Sequence, residues 1–258
     1  MPSQTHQAAY LRPHSPPIAT KAQGPSRLSS ALWTGLCAAI GAAAGTREVQ
    51  AQSREWAAEL AVSSELTERG AVLGQRRPVL QGSASMYDAS GWSVGGTLTV
   101  QHRSQANSRL IVHAAQDWVL GKDWQSRASL LYYAYPSDRA SRVFDRAEAG
   151  LSLSFRDLWV FGVSMYRYPH ARTDSAPMRW TIDVGTRWPL NEQFSVTAAL
   201  GQARVQPRGD YLYGSAGLTW QHKAWRAELN YLDTDRNALT VLNSPARGHW
   251  STTLTHSF

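Results

Sequence analysis

Eight charged side chains stand at positions whose neighbours two residues away are mostly Ser, Thr, Gly or another charge: Glu59, Arg127, Arg146, Glu148, Asp183, Arg187, Arg226 and Glu228. In an extended strand, residues two apart share a face. Arg146 and Glu148 therefore project side by side, as do Arg226 and Glu228, and Asp183 shares a face with Arg187. Such a set supports two chemistries. Around water it forms a mixed-charge constriction whose Arg side favours anions by focusing the local field. Without water the charges pair with one another and plug the space, because pairing is how buried charges are tolerated. The sequence leaves both open.

His102 and Ser104 suggest a different chemistry, since they also share a strand face. Barrel-borne phospholipases and deacylases place a His and a Ser in this way. A His activates a Ser only within hydrogen-bond reach and with a third group orienting its ring. No carboxylate nearby suits that role, and Asn107 comes too late in the chain. His256 and Ser257 are adjacent, so they point to opposite faces. No metal-ligand spacing or Gly-rich phosphate loop is present, and no cofactor is expected.

The elements that would position these residues are strands. From Trp56 onward the sequence reads as twelve segments of about ten residues, apolar on one face and polar on the other. Trp92, Val94, Leu98 and Val100 alternate with Ser93, Gly95, Thr97 and Thr99. Trp180, Ile182, Val184 and Trp188 alternate with Asp183, Gly185 and Arg187, and Trp225, Ala227, Leu229 and Tyr231 with Arg226, Glu228 and Asn230. The last segment places Trp250, Thr252, Leu254, His256 and Phe258 opposite Ser251, Thr253, Thr255 and Ser257. Connections after odd-numbered segments read as long and those after even-numbered ones as tight. The first long connection is a loop over Leu66–Pro78. Even strand number, parity of connections and Trp or Tyr near segment ends are marks of a membrane barrel. The expectation is an all-β fold: a transmembrane, antiparallel up-and-down β-barrel of about twelve strands. The last strand closes it against the first, because an open edge in lipid leaves backbone groups unsatisfied. A soluble sandwich is the alternative, but it needs neither girdles nor parity.

Ahead of the barrel, the apolar run Ala31–Gly45 is too short for a membrane-spanning helix. Lys21 and Arg27 precede it, and Val49-Gln50-Ala51 offers a cleavage site, so residues 1–51 read as a signal peptide and 52–258 as the barrel. Its removal would take Cys37 and leave 22 Lys/Arg against 18 Asp/Glu, a net +4. That charge is modest and spread, which argues against nucleic acid as a partner. Arg69, Arg76, Arg77, Arg103, Arg109, Arg139, Arg142, Arg172, Arg204, Arg208 and Arg247 are assigned to the outer loops. There they could steer anions or contact lipopolysaccharide phosphates, for which Arg offers bidentate geometry. An ordinary solvated loop surface explains them as well.

With these residues in view the mature chain resembles the TorF-type porin family of proteobacterial outer membranes. The resemblance is carried by Arg69-Gly70, Pro78, Gln81-Gly82 and Ser90-Gly91, by Leu131-Tyr132-Tyr133-Ala134-Tyr135-Pro136, by Asp210-Tyr211 with Gly217, and by Tyr231-Leu232-Asp233-Thr234-Asp235. The chain departs from that pattern at Glu68, where the family carries an aromatic, and at Leu98–His102. The resemblance implies a pore-like barrel in the outer membrane, with lipid, lipopolysaccharide and the barrel-assembly machinery as partners and Trp250, Leu254 and Phe258 as its insertion signal. A passive channel for small hydrophilic solutes is the leading functional expectation. A barrel enzyme and a plugged structural or adhesive barrel are the alternatives.

Overall fold

The computed structural model describes residues 54–101, 108–137, 140–170, 178–205, 208–242 and 248–258. In chain order the strands are β1 (Glu55–Ser63), β2 (Thr67–Glu68), β3 (Ala71–Val72), β4 (Val79–Tyr87), β5 (Trp92–Gln101), β6 (Ser108–Val119) and β7 (Trp124–Ala134). They continue with β8 (Arg146–Phe155), β9 (Trp159–Arg167), β10 (Arg179–Pro189), β11 (Phe194–Val205), β12 (Gly209–His222), β13 (Trp225–Thr234) and β14 (His249–Ser257). A helix, α1 (Asn237–Leu242), lies between β13 and β14, and a 3₁₀ turn, Ala140–Phe144, precedes β8.

Twelve strands form one closed antiparallel barrel in sequential order, while β2 and β3 pair only with each other. Closure is made by β1 and β14, with Leu60 opposite His256 and Val62 opposite Leu254. The Phe258 amide adds a last hydrogen bond to the Ala58 carbonyl at 2.9 Å. No backbone edge is left open to lipid, as a spanning sheet requires.

Period-two patterning sorts the two faces. Outward stand Trp56, Trp92, Leu98, Leu130, Leu151, Ile182, Leu200 and Leu254, all exposed, whereas the inward Ser93, Thr99, Ser154, Thr181 and Thr255 are buried. An exposed apolar belt around a polar interior is the reverse of a soluble sandwich and is what a bilayer demands of a barrel. Aromatic rings gather at the short-turn end, where Trp225 and Phe258 flank His256 with centroids 4.6 Å away on each side and Trp159 meets Trp188 edge-on at 6.2 Å. Short turns carry their own signals. In the β4–β5 turn, Asp88 Oδ1 accepts from the Ser90 and Trp92 amides at 2.9 and 3.1 Å. The Ser90 hydroxyl on the same oxygen is the main reason its carboxyl sits below the ordinary value.

Two expectations are corrected. The connection after the ninth barrel strand is not long: β11 ends at Val205 and β12 begins at Gly209, with those two residues paired. The ladder there is longer than expected, because β11 extends to Val205 and β12 starts at Gly209, taking in Gly209 and Asp210 of the segment assigned to a loop. The Leu66–Pro78 segment is not a plain surface loop either. It contains the β2–β3 hairpin, and both β2 residues are buried.

Candidate functional site

The hairpin is built by a two-residue turn. Thr67 pairs with Val72 and Glu68 with Ala71, leaving Arg69-Gly70 as the tip. Both tip residues have positive φ, 50° and 75°, which is the primed turn whose twist suits a tight hairpin. Gly70 is required twice over, since a Cβ there would also stand 2.7 Å from both the Thr234 Cγ2 and the Tyr213 Cβ atoms. Because Tyr213 lies on the inward face of β12, this contact places the tip within the lumen. The Tyr211 hydroxyl donates to the Arg69 carbonyl at 3.4 Å. At the hairpin's base, the Glu65 carboxylate lies 2.8 Å from His249 Nε2.

Glu68 and Arg69 join Arg146 and Glu148 of β8 in a closed ring of four charges. Arg69 Nη1 donates to Glu68 Oε1 at 2.9 Å, and Arg69 Nη2 to Glu148 Oε1 at 2.7 Å. Arg146 Nη1 donates to Glu68 Oε1, and Arg146 Nε lies 3.3 Å from Glu148 Oε2. Arg109 of β6 adds a fifth member, donating from Nη1 to Glu68 Oε2 at 3.4 Å. All five side chains are buried. Tyrosine rings brace the cations: the Arg146 guanidinium lies 3.9 Å from the Tyr133 centroid and that of Arg69 lies 4.4 Å from the Tyr166 centroid.

Burial alone would push the Glu68 carboxyl up, but Arg146, Arg69 and Arg109 together hold it down at about 2. Burial likewise opposes the charge on Arg69, yet Glu148 and Glu68 raise it above its ordinary value. Three guanidiniums face two carboxylates, so donors are left over. Among the described residues, Arg109 Nε and Nη2 and Arg146 Nη2 are buried without a hydrogen-bond partner.

The eight side chains singled out by parity are all at inward positions, and the structure separates them into tiers. Arg146 and Glu148 belong to the hairpin cluster near the long-loop end. Toward the short-turn end, Arg226 Nε lies 3.0 Å from Glu228 Oε1 and its Nη2 lies 4.0 Å from Glu59. In that same lower tier Arg187 donates to the Ser195 hydroxyl at 3.0 Å. Arg127 donates to Ser93 at 2.9 Å and approaches Asp117 at 3.5 Å. Asp183 lies between the tiers and accepts from the Tyr213 hydroxyl. Gly201 permits that reach, because a Cβ on it would collide with the Tyr213 ring and stand 2.6 Å from Asp183 Oδ1.

Below the hairpin a small cavity of about 60 Å³ has a lining that runs from Thr67–Gly70 to Asp157 and Leu158 in the β8–β9 turn. Its wall carries Asp183, Arg187, Thr197, Tyr213 and Ser215, with Gly185 and Ala199 giving the room. At the long-loop mouth α1 covers part of the opening. Ala238 and Val241 pack on the inward Ala203, Val205 and Tyr211, and the Ala238 amide bonds to Asp235 Oδ1 at 3.2 Å.

Several assignments made from sequence change. Arg69 and Arg109 were expected in outer loops, but both belong to the luminal cluster, Arg109 being 1% exposed on β6. Arg204 lies on β11 and pairs with Asp210 at 3.0 Å. In the sequence Glu68 stands out only as a departure from a family pattern, and nothing local marks Tyr133, Tyr166 or Tyr211 as parts of a site. One local signal was available: Thr-Glu-Arg-Gly-Ala-Val carries a dipeptide ending in Gly between two short extended pairs. His102 and Ser104, with Arg103, Arg139, Arg172, Arg247 and the leader, lie outside the described residues. Among the described residues no group of three His, Cys, Asp or Glu is placed to hold a metal ion.

Compared by sequence, the chain matches no family model and no curated protein. Compared by fold, it is similar to the KdgM porin, with a TM-score of 0.54 at 9% identity over 78% of this chain and 99% of that one. The KdgM porin in complex with disordered oligogalacturonate matches at 0.53 and 8% identity, covering 79% of this chain and 99% of that one. The NanC porin matches at 0.53 and 13% identity, over 78% and 98%. These are twelve-strand outer-membrane barrels, and at such identities the likeness establishes the fold.

Proposed function

We propose that this chain is an outer-membrane channel for passive diffusion of small hydrophilic solutes, leaning toward anions. One observation carries the reading: a closed barrel, apolar outside, encloses a charged lumen that the Glu68–Arg69 tip narrows, with a cavity of about 60 Å³ beneath the tip. Three guanidiniums against two carboxylates at the narrow point give a positive field there, which attracts anions entering the passage. The likeness to a porin solved with oligogalacturonate, an acidic sugar chain, agrees with that sign.

The same reading makes residues 1–51 a cleaved export signal and Trp250, Leu254 and Phe258 the determinants read by the barrel-assembly machinery. Lipid and lipopolysaccharide are then the natural surroundings of the outer face. Membership in the TorF-type porin family is the finer form of the proposal, supported by the sequence elements Arg69-Gly70, Tyr132-Tyr133 and Asp210-Tyr211, of which Tyr133 lies against Arg146 and Tyr211 reaches the Arg69 carbonyl.

The paired hairpin charges favour a second reading, a barrel plugged at rest or serving only as structure. Planar-bilayer recording of the refolded protein separates the two. Discrete conductance steps with a reversal potential displaced toward the chloride equilibrium value support the channel. A folded barrel that never conducts overturns it in favour of the plug.

A further inference from the structure

The hairpin tip presents a carboxylate and a cation side by side, Glu68 Oε1 and Arg69 Nη1 being 2.9 Å apart, to a wall that answers both. Arg109 and Arg146 face the carboxylate and Glu148 faces the cation, each partner coming from a barrel strand rather than from the hairpin. Nothing in that arrangement requires the two charges to belong to the chain. Moreover, the fit is incomplete. Among the described residues Arg109 keeps two buried donors and Arg146 one without a hydrogen-bond partner, so the wall offers more to a carboxylate than Glu68 takes. Tyr133 and Tyr166 close the sides, removing the site from bulk water and strengthening charge recognition.

We propose that Arg109, Arg146 and Glu148 form a recognition site for a compact dipolar solute, a molecule bearing a carboxylate and an ammonium a few ångströms apart, and that the Glu68–Arg69 tip occupies it as an internal ligand. This deepens the channel reading and rests on it: a solute that displaces the tip opens the passage it then crosses. The amino acid class carries these charges at the spacing of the tip. A simple anion in place of the tip leaves Glu148 with Arg146 alone, and a simple cation leaves the two arginines short of an anion, so neither replaces the tip, while the passage once open keeps its lean toward anions. Because the hairpin is tethered, it competes at an effective concentration on the order of millimolar, and free solute must reach about that level to act.

The test uses the refolded full chain, with hydrogen exchange of residues 64–78 in micelles and current in planar bilayers as separate readouts. Glycine is the probe, and acetate, ethylammonium and glucose at equal concentration are controls. Glycine is expected to speed exchange of the hairpin amides roughly threefold or more and to raise open probability, with the three controls at baseline. The paired wall variant R146Q/E148Q is expected to lose the glycine response while its strand amides stay protected, and E68Q/R69Q to show the fast hairpin exchange without glycine. An equal response to acetate, a glycine response surviving in the wall variant, or a silent wild type overturns the proposal. The readouts also separate the two ideas. Glycine-sensitive exchange without current sinks the channel and supports the site, whereas current indifferent to glycine supports the channel and overturns the site.

Discussion

Arg69 donates to Glu148 at 2.7 Å across 79 residues of chain, and both side chains are buried. This contact ties the hairpin to the barrel wall and turns an inserted loop into part of the lumen. The hairpin has only two residues in each strand, too few for independent stability, so it holds its place through such contacts.

Arg69→Met keeps much of the side-chain length and removes the cation. Glu148 then retains only Arg146, and Glu68 loses its adjacent partner. Breaking one member of a buried charged network costs about 3–5 kcal/mol. The loss falls on hairpin docking more than on the barrel ladder, so hairpin amides should exchange faster while strand amides stay protected. Mean conductance should rise in the same preparation, and an unchanged current with a freed hairpin would mean the constriction lies elsewhere.

Acid should release the same element. Glu68 titrates at about 2 in the folded protein against an ordinary 4.5, so its charge contributes stability that is fully present above about pH 4.5 and is lost as pH falls toward 2. Integrated over that interval the contribution is roughly 3 kcal/mol. Hairpin exchange measured relative to a short-turn reference should therefore be flat from pH 7 to 5 and rise progressively below. In Glu68→Gln the hairpin starts loose and that rise should be absent.

Gly70→Val tests geometry rather than charge. The φ of 75° disfavours any β-branched residue, and the added atoms would press on Thr234 and Tyr213. The two effects together should cost about 1–3 kcal/mol of docking. Every charged group remains, so an increase in conductance like that of Arg69→Met would show that tip position, not charge alone, narrows the lumen.

The barrel was legible in the sequence because one physical constraint repeats in every strand. Lipid outside and water inside force Trp92 against Ser93 and Leu254 against Thr253, and the closing pair of β1 with β14 follows from the need to leave no edge. The site was legible only in halves. Arg146 and Glu148 declare themselves by parity, whereas Glu68 and Arg69 sit in a Gly- and Arg-rich stretch that reads as solvated loop. What buries them is complementary charge 41 to 79 residues away, a relation no local pattern carries. The β11–β12 connection was misread for a related reason. Gln206-Pro207-Arg208-Gly209 has turn composition, but the extra ladder from Ala203 to Tyr211 is anchored by α1, whose packing appears only in three dimensions.

The two faces of the closing strand give the sharpest test of orientation. Leu254 is 45% exposed on the outer face, opposite Val62 and Ala227, whereas Thr253 is buried inside, where its hydroxyl lies 2.9 Å from Ser63 Oγ and Glu228 pairs with it in register. An Arg at position 254 must enter lipid, at a cost of about 2–4 kcal/mol at the midplane. An Arg at position 253 enters a polar lumen with acid neighbours at hand. Urea unfolding from lipid vesicles should therefore show Leu254→Arg destabilised by that amount and Thr253→Arg by far less. Equal losses would mean that the outer face does not meet lipid, and with that the membrane-spanning reading of the barrel would fall.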